Sequence, residues 1–74
     1  MDGMNAQVLK RMLPHQIKRL DIGTIIFLRD IYTGVVTKYR IIQFGKGRRL
    51  QSLSRSNVYL RIKEIPGCEF FMEG

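Results

Sequence analysis

Apolar positions divide this chain into an opening with helical spacing and a remainder with β spacing. Over residues 4–20, Leu9, Leu13, Ile17 and Leu20 recur at intervals of four, four and three. Such intervals place them on one stripe of an α-helix, with Lys10, Lys18 and Arg19 off it. Asp2 or Asn5 stands where an N-cap is needed. Pro14 has no N–H to donate and disfavours the α conformation in the residue before it. The pattern therefore predicts two short helices, with Pro14 opening the second. Val8 and Met12 form another apolar strip four residues apart, which predicts contacts on two sides of the segment.

From residue 24 onward the period shortens. Residues 24–29 are rich in β-branched and aromatic side chains and apolar on both faces, which predicts a central strand covered on one side by the helical segment. After a loop through Asp30 and Gly34, residues 35–44 give the longest β-prone run. In it Val36, Lys38, Arg40, Ile42 and Phe44 share one face, and Thr37, Tyr39 and Ile41 the other. Gly45-Lys46-Gly47 predicts a tight hairpin turn. Residues 48–54 return as a strand whose broken alternation predicts a bulge or a short element. Ser54-Arg55-Ser56-Asn57 is a polar turn. Beyond it Val58, Leu60 and Ile62 alternate with Tyr59, Arg61 and Lys63 over residues 58–65. Pro66-Gly67 is a turn dipeptide, and Cys68, Phe70 and Met72 then alternate with Glu69, Phe71 and Glu73.

The expected architecture is α+β, mostly β, in a single small domain over residues 1–74. A helical segment at 4–20 precedes a five-stranded antiparallel meander at 23–73, curled into a small open barrel of the SH3-like or OB-like kind. A chain of 74 residues has a core near the lower limit for independent folding. No disulfide can form within it, because Cys68 is the only cysteine. His15 is the only histidine, and it stands in no metal-ligand spacing with Cys68. The expected cofactors are none. No secretory signal or lipidation motif is legible, and the longest apolar run, residues 25–28, is far too short to span a bilayer. The lone cysteine points to a reducing, cytoplasmic compartment without integral membrane association.

Charge changes the picture most. The formal net charge is +7. The acids are Asp2, Asp21, Asp30, Glu64, Glu69 and Glu73, so none falls within residues 31–63. That stretch holds Lys38, Arg40, Lys46, Arg48, Arg49, Arg55, Arg61 and Lys63. Cations this dense repel one another, which favours a chain that uses them against an anionic partner. The competing account is a solvated β-surface whose charges deter edge-to-edge aggregation.

Two features carry candidate chemistry. The glycines of Gly45-Lys46-Gly47-Arg48-Arg49 let backbone N–H groups approach an anion among three cations, although the spacing of a nucleotide-hydrolysing phosphate loop is absent. The same residues also suit an ordinary exposed hairpin. Tyr59, Arg61 and Lys63 project from one face of one strand, and cations with an adjacent aromatic ring suit phosphate neutralisation with base stacking. Tyr32 and Tyr39 are further aromatic candidates, Tyr39 equally a core residue. No nucleophile, base and orienting acid assemble by motif around His15, the serines 52, 54 and 56, or Cys68, so no enzyme activity is expected.

The sequence thus favours a phosphate-directed, weakly sequence-specific DNA- or RNA-binding domain. Its expected contacts are Lys38, Arg40, Lys46, Arg48, Arg49, Arg55, Arg61 and Lys63, with Tyr59 stacking. If about five cations each neutralise a phosphate, log K falls with log salt at a slope of roughly −4. The alternative is a protein-interaction module or accessory subunit that docks on an acidic partner or forms a homo-oligomer. It rests on the doubly apolar first strand, on Val8 and Met12, and on Phe71 among glutamates.

Overall fold

Every β-spaced run becomes a strand, and so does part of the segment that carries helical spacing. The computed structural model describes residues 8–74. In chain order the elements are β1 (Leu9–Met12), α1 (Pro14–Ile17), β2 (Ile25–Asp30), β3 (Val36–Phe44), β4 (Gly47–Ser52), β5 (Tyr59–Arg61) and β6 (Cys68–Glu73). The strands form one antiparallel sheet in the order β1-β6-β2-β3-β4-β5.

The expected helix over residues 4–20 is overturned where the chain is described. Leu9–Met12 is extended and pairs with β6, Met12 standing opposite Phe70. Only one helical turn, Pro14–Ile17, survives. Pro14 holds Leu13 extended, at φ −92° and ψ 154°, so no helix crosses that point. The Leu13 N–H donates instead to Gln16 Oε1 at 2.8 Å. A helix shorter than about 12 residues is marginal on its own, whereas β1 satisfies its backbone groups against the edge of β6. The apolar stripe consequently splits: Ile17 is fully buried while Leu13 is 46% exposed. Val8 and Met12 likewise part, Val8 to solvent and Met12 to the core. The proposed caps Asp2 and Asn5 lie outside the described residues.

The meander is also corrected. β2 to β5 follow one another across the sheet, but β6 returns to the free side of β2. There Phe70 stands opposite Leu28 and Phe71 opposite Phe27. With β3 on one side and β6 on the other, both edges of β2 are hydrogen-bonded, which makes it a central strand. The sheet does not close into a barrel: β1 and β5 are its two edges. Both edges are short, four and three residues, which limits them as templates for further pairing.

Residues opposite one another across the ladders share a face. One face carries Met12, Phe70, Ile26, Tyr39, Ile41 and Leu50, all buried, and Ile17 and Ile62 join their cluster from the segments that follow β1 and β5. Leu20, Leu28, Leu60, Ile65 and Met72 complete it. Burying each large aliphatic side chain contributes about 1.5–3 kcal/mol. Two glycines set the turns that aim the strands. Gly45, at φ 60°, opens the two-residue loop between Phe44 and its partner Gly47. Gly67, at φ 80°, leaves room for the Tyr32 ring, which a Cβ there would meet at 3.0 Å. No helix among the described residues is long and apolar enough to cross a membrane.

Candidate nucleic-acid interface

The face opposite the core holds the charge. On β3, period-two alternation sends Tyr39 and Ile41 inward and Lys38 and Arg40 outward, both exposed. The register carries that face onward. Arg40 stands opposite Gln51, Ile42 opposite Arg49, Arg49 opposite Arg61, and Gln51 opposite Tyr59. Lys38, Arg40, Arg49 and Arg61 thus occupy one face of three neighbouring strands, with Tyr59 on the edge strand. No carboxylate of the described residues stands on those strands.

Aromatic rings lie between the cations. Phe44 and Tyr59 pack with their centroids 5.4 Å apart and their planes tilted by 55°. The Arg49 guanidinium sits 5.1 Å from the centre of the Phe44 ring, and Lys38 Nζ sits 5.8 Å from that of Phe27. Such contacts contribute about 0.5–1 kcal/mol at exposed sites and fix where a long side chain points. Phe27 is buried although it is on this outer face, with Lys38 opposite it on one neighbouring strand and Phe71 on the other. Tyr59 and Phe44 each keep more than two fifths of their surface exposed.

The remaining sequence candidates are dispersed. Arg48 is one residue out of phase with Arg49 and leaves the outer face. Its Nη1 donates to the carbonyl oxygens of Lys18, at 3.1 Å, and of Leu20, tying the turn after α1 to the start of β4. Arg48 and Arg49 nevertheless border one cleft with Gly47, which Lys46 does not line. Lys46 is exposed at the hairpin tip, within the two-residue loop. Arg55 is exposed in the β4–β5 loop. Its backbone N–H donates to Ser52 Oγ at 3.1 Å, and the Ser54 N–H donates to the same oxygen at 3.3 Å. That serine hydroxyl is committed to shaping a loop. Tyr59 and Arg61 share the outer face as their spacing implies, but Lys63 follows the end of β5. Lys63 instead borders a cleft of about 490 Å³, together with Lys18, Gly47, Arg48, Arg49, Arg61 and Ile62.

Tyr39 is a core residue. Burial, and to a smaller degree the neighbouring Cys68 thiol, pushes its hydroxyl above the ordinary tyrosine value. Tyr32 is 85% exposed in the β2–β3 loop and stands on none of the cationic strands. His15 is exposed on α1. Among the described residues no three His, Cys, Asp or Glu side chains gather as a metal site requires.

Two contributors escape sequence reasoning about sites. Phe44 was legible through its parity with Lys38 and Arg40, but its pairing with Tyr59 needs the β3–β4–β5 register. Lys18 lies thirty residues from Arg48, and no local pattern links them. No protein-family model, no curated protein and no solved structure matches this chain.

Proposed function

We propose that this protein binds nucleic acid through its phosphates, with little sequence specificity, on the outer face of β3, β4 and β5. One observation carries the reading. Arg49 stands directly opposite Arg61, on the face that also carries Arg40 and Lys38, with no carboxylate on those strands. Like charges directly opposed across a ladder cost stability, and a polyanion offsets that cost. Phosphate contacts position a ligand without reading its bases, so binding is without chemistry on the ligand. The cytoplasm, where the Cys68 thiol stays reduced, fits this role.

Titrating labelled oligonucleotides over a range of salt concentrations tests the proposal. If Lys38, Arg40, Arg49 and Arg61 each neutralise one phosphate of a single strand, log K falls with log salt at a slope of about −3. Absence of binding at low salt, or a slope untouched by Arg49→Glu/Arg61→Glu, ends it.

A second reading, association with an acidic protein or with another copy of the chain, is favoured by the apolar β2–β3 loop. Ile31, Tyr32 and Val35 are all exposed there, and such patches are common at association sites. Light scattering at high concentration and a nuclease-resistant pull-down favour this reading if they yield an oligomer or a retained protein partner.

A further inference from the structure

We infer that the cleft at the β4–β5 end is a phosphate seat coupled to the Phe44–Tyr59 pair, and that the pair of sites selects single-stranded over duplex nucleic acid. This rests on the proposed function above and names its ligand class.

The cleft gathers cations from three places in the chain. Lys18 comes from the turn after α1, Arg48 and Arg49 from the start of β4, and Arg61 and Lys63 from the end of β5 and the residues after it. No carboxylate of the described residues lines it. Its volume, about 490 Å³, accommodates a phosphate with its sugar. The five cations are not equivalent. Arg48 is held by the carbonyls of Lys18 and Leu20, so it contributes field and structure. Lys18, Arg61 and Lys63 are exposed and can turn toward an incoming anion. The carbonyls that restrain Arg48 also fasten the Lys18 turn to β4, which keeps Lys18 beside the cleft.

Arg49 joins the cleft to the aromatic pair. It lines the cleft while its guanidinium stacks on Phe44, and Phe44 packs on Tyr59. A phosphate seated in the cleft is therefore linked through Arg49 to two partly exposed rings on the adjoining face, of which Tyr59 is the one not covered by the guanidinium. In a single strand the base attached to that phosphate is free to stack on them, a contact worth about 1–3 kcal/mol per base. In a duplex the base faces are already occupied by their neighbours in the stack, so only phosphates reach the surface. The outer cations serve either ligand, whereas the rings serve only an unpaired base.

The test compares a labelled twelve-residue oligothymidylate with a duplex of the same length at one low salt concentration. The wild-type protein binds the single strand at least roughly tenfold more tightly, given one stacked base. Tyr59→Ala removes about tenfold from single-strand affinity and leaves duplex affinity unchanged, while Tyr59→Phe retains the preference. Lys18→Gln/Lys63→Gln weakens the single strand and reduces its salt slope by about 1.4, two phosphate contacts' worth. Equal affinity for single strand and duplex overturns the inference. So does a Lys18→Gln/Lys63→Gln protein that binds as the wild type does while Lys38→Gln/Arg40→Gln loses affinity; that result leaves the phosphate-directed function standing. Failure of the wild-type protein to bind either oligonucleotide overturns both.

Discussion

The two halves of the outer face are built from the same kind of strand yet carry charge differently. On β1, β6 and β2 the cations have acids beside them. Arg11 reaches Glu69 at 3.3 Å, and Arg29 stands opposite Glu69 in register. Glu73 shares that face, opposite Leu9. On β3, β4 and β5 the corresponding positions hold Lys38, Arg40, Arg49 and Arg61, with Arg49 set against Arg61. The first half shows how this fold offsets a surface charge when only stability is at issue. The second leaves its charge unopposed on the sheet, and that difference is what the proposed binding of a polyanion rests on. An exposed ion pair such as Arg11–Glu69 contributes no more than about 1 kcal/mol, so the contrast makes only a small difference to stability.

The largest effect tests whether the halves are one packed unit. Phe27 lies at their seam, opposite Phe71 on one side and Lys38 on the other, and it is buried. Phe27→Ala is expected to destabilise the protein by about 3–5 kcal/mol in denaturant unfolding. A loss below about 1 kcal/mol would show the outer face to be no more than a solvated surface at this point.

Next comes the division of labour between adjacent arginines. Arg48→Ala removes charge-assisted bonds to two carbonyls and is expected to cost about 1.5–3 kcal/mol. Arg49→Ala, on the surface side, leaves stability within about 1 kcal/mol and weakens oligonucleotide binding. Equal stability losses would place both side chains in the same structural role.

A smaller change separates function from stability directly. Arg61→Glu converts the like-charge pair with Arg49 into an opposite-charge one, which is expected to raise stability by about 0.2–1 kcal/mol. The same substitution lowers oligonucleotide affinity. A denaturation midpoint that falls instead removes the argument that the acid-free half is costly to the fold.

The smallest expected effect lies beneath the face, at Tyr39 of β3 in the core. Burial raises the Tyr39 pKa, so the folded chain holds this proton more tightly than the unfolded chain. Its stabilising contribution is complete below the unfolded value, near 10, and is lost as pH rises through the higher folded value. Tyr39→Phe should flatten the fall in stability above about pH 10, measured by urea unfolding across alkaline pH. An unchanged alkaline slope would remove the buried hydroxyl from the account.

Strand positions were legible wherever apolar alternation met a turn of fixed chemistry. The hairpin at Gly45-Lys46, the outward parity of Lys38 and Arg40, and the inward parity of Cys68, Phe70 and Met72 all follow from local pattern. The opening segment misled because Leu9, Leu13, Ile17 and Leu20 satisfy a helical period that Pro14 prevents from being realised in one piece. Pairing with β6 then outweighed what helical propensity remained. The crossing of β6 to β2 was invisible for a related reason: alternation says which residues share a face, but not which strand lies alongside. Of the candidate site, Tyr59 and Arg61 held together because they share one strand, whereas Arg48 and Arg49 separated because successive strand residues face opposite ways.

The sequence by itself determined that this protein is small, rich in strands and strongly basic, and that residues 31–63 carry cations without an acid. Those properties depend on composition and short-range pattern. Tertiary structure alone decided that Lys38, Arg40, Arg49 and Arg61 form one face, and that Lys18 joins Arg61 and Lys63 around a cleft. Charge along a chain is additive, but a binding surface depends on register. Here the register that aligns the cations is the one that sets Ile41 opposite Leu50, and Leu50 opposite Leu60, on the core side.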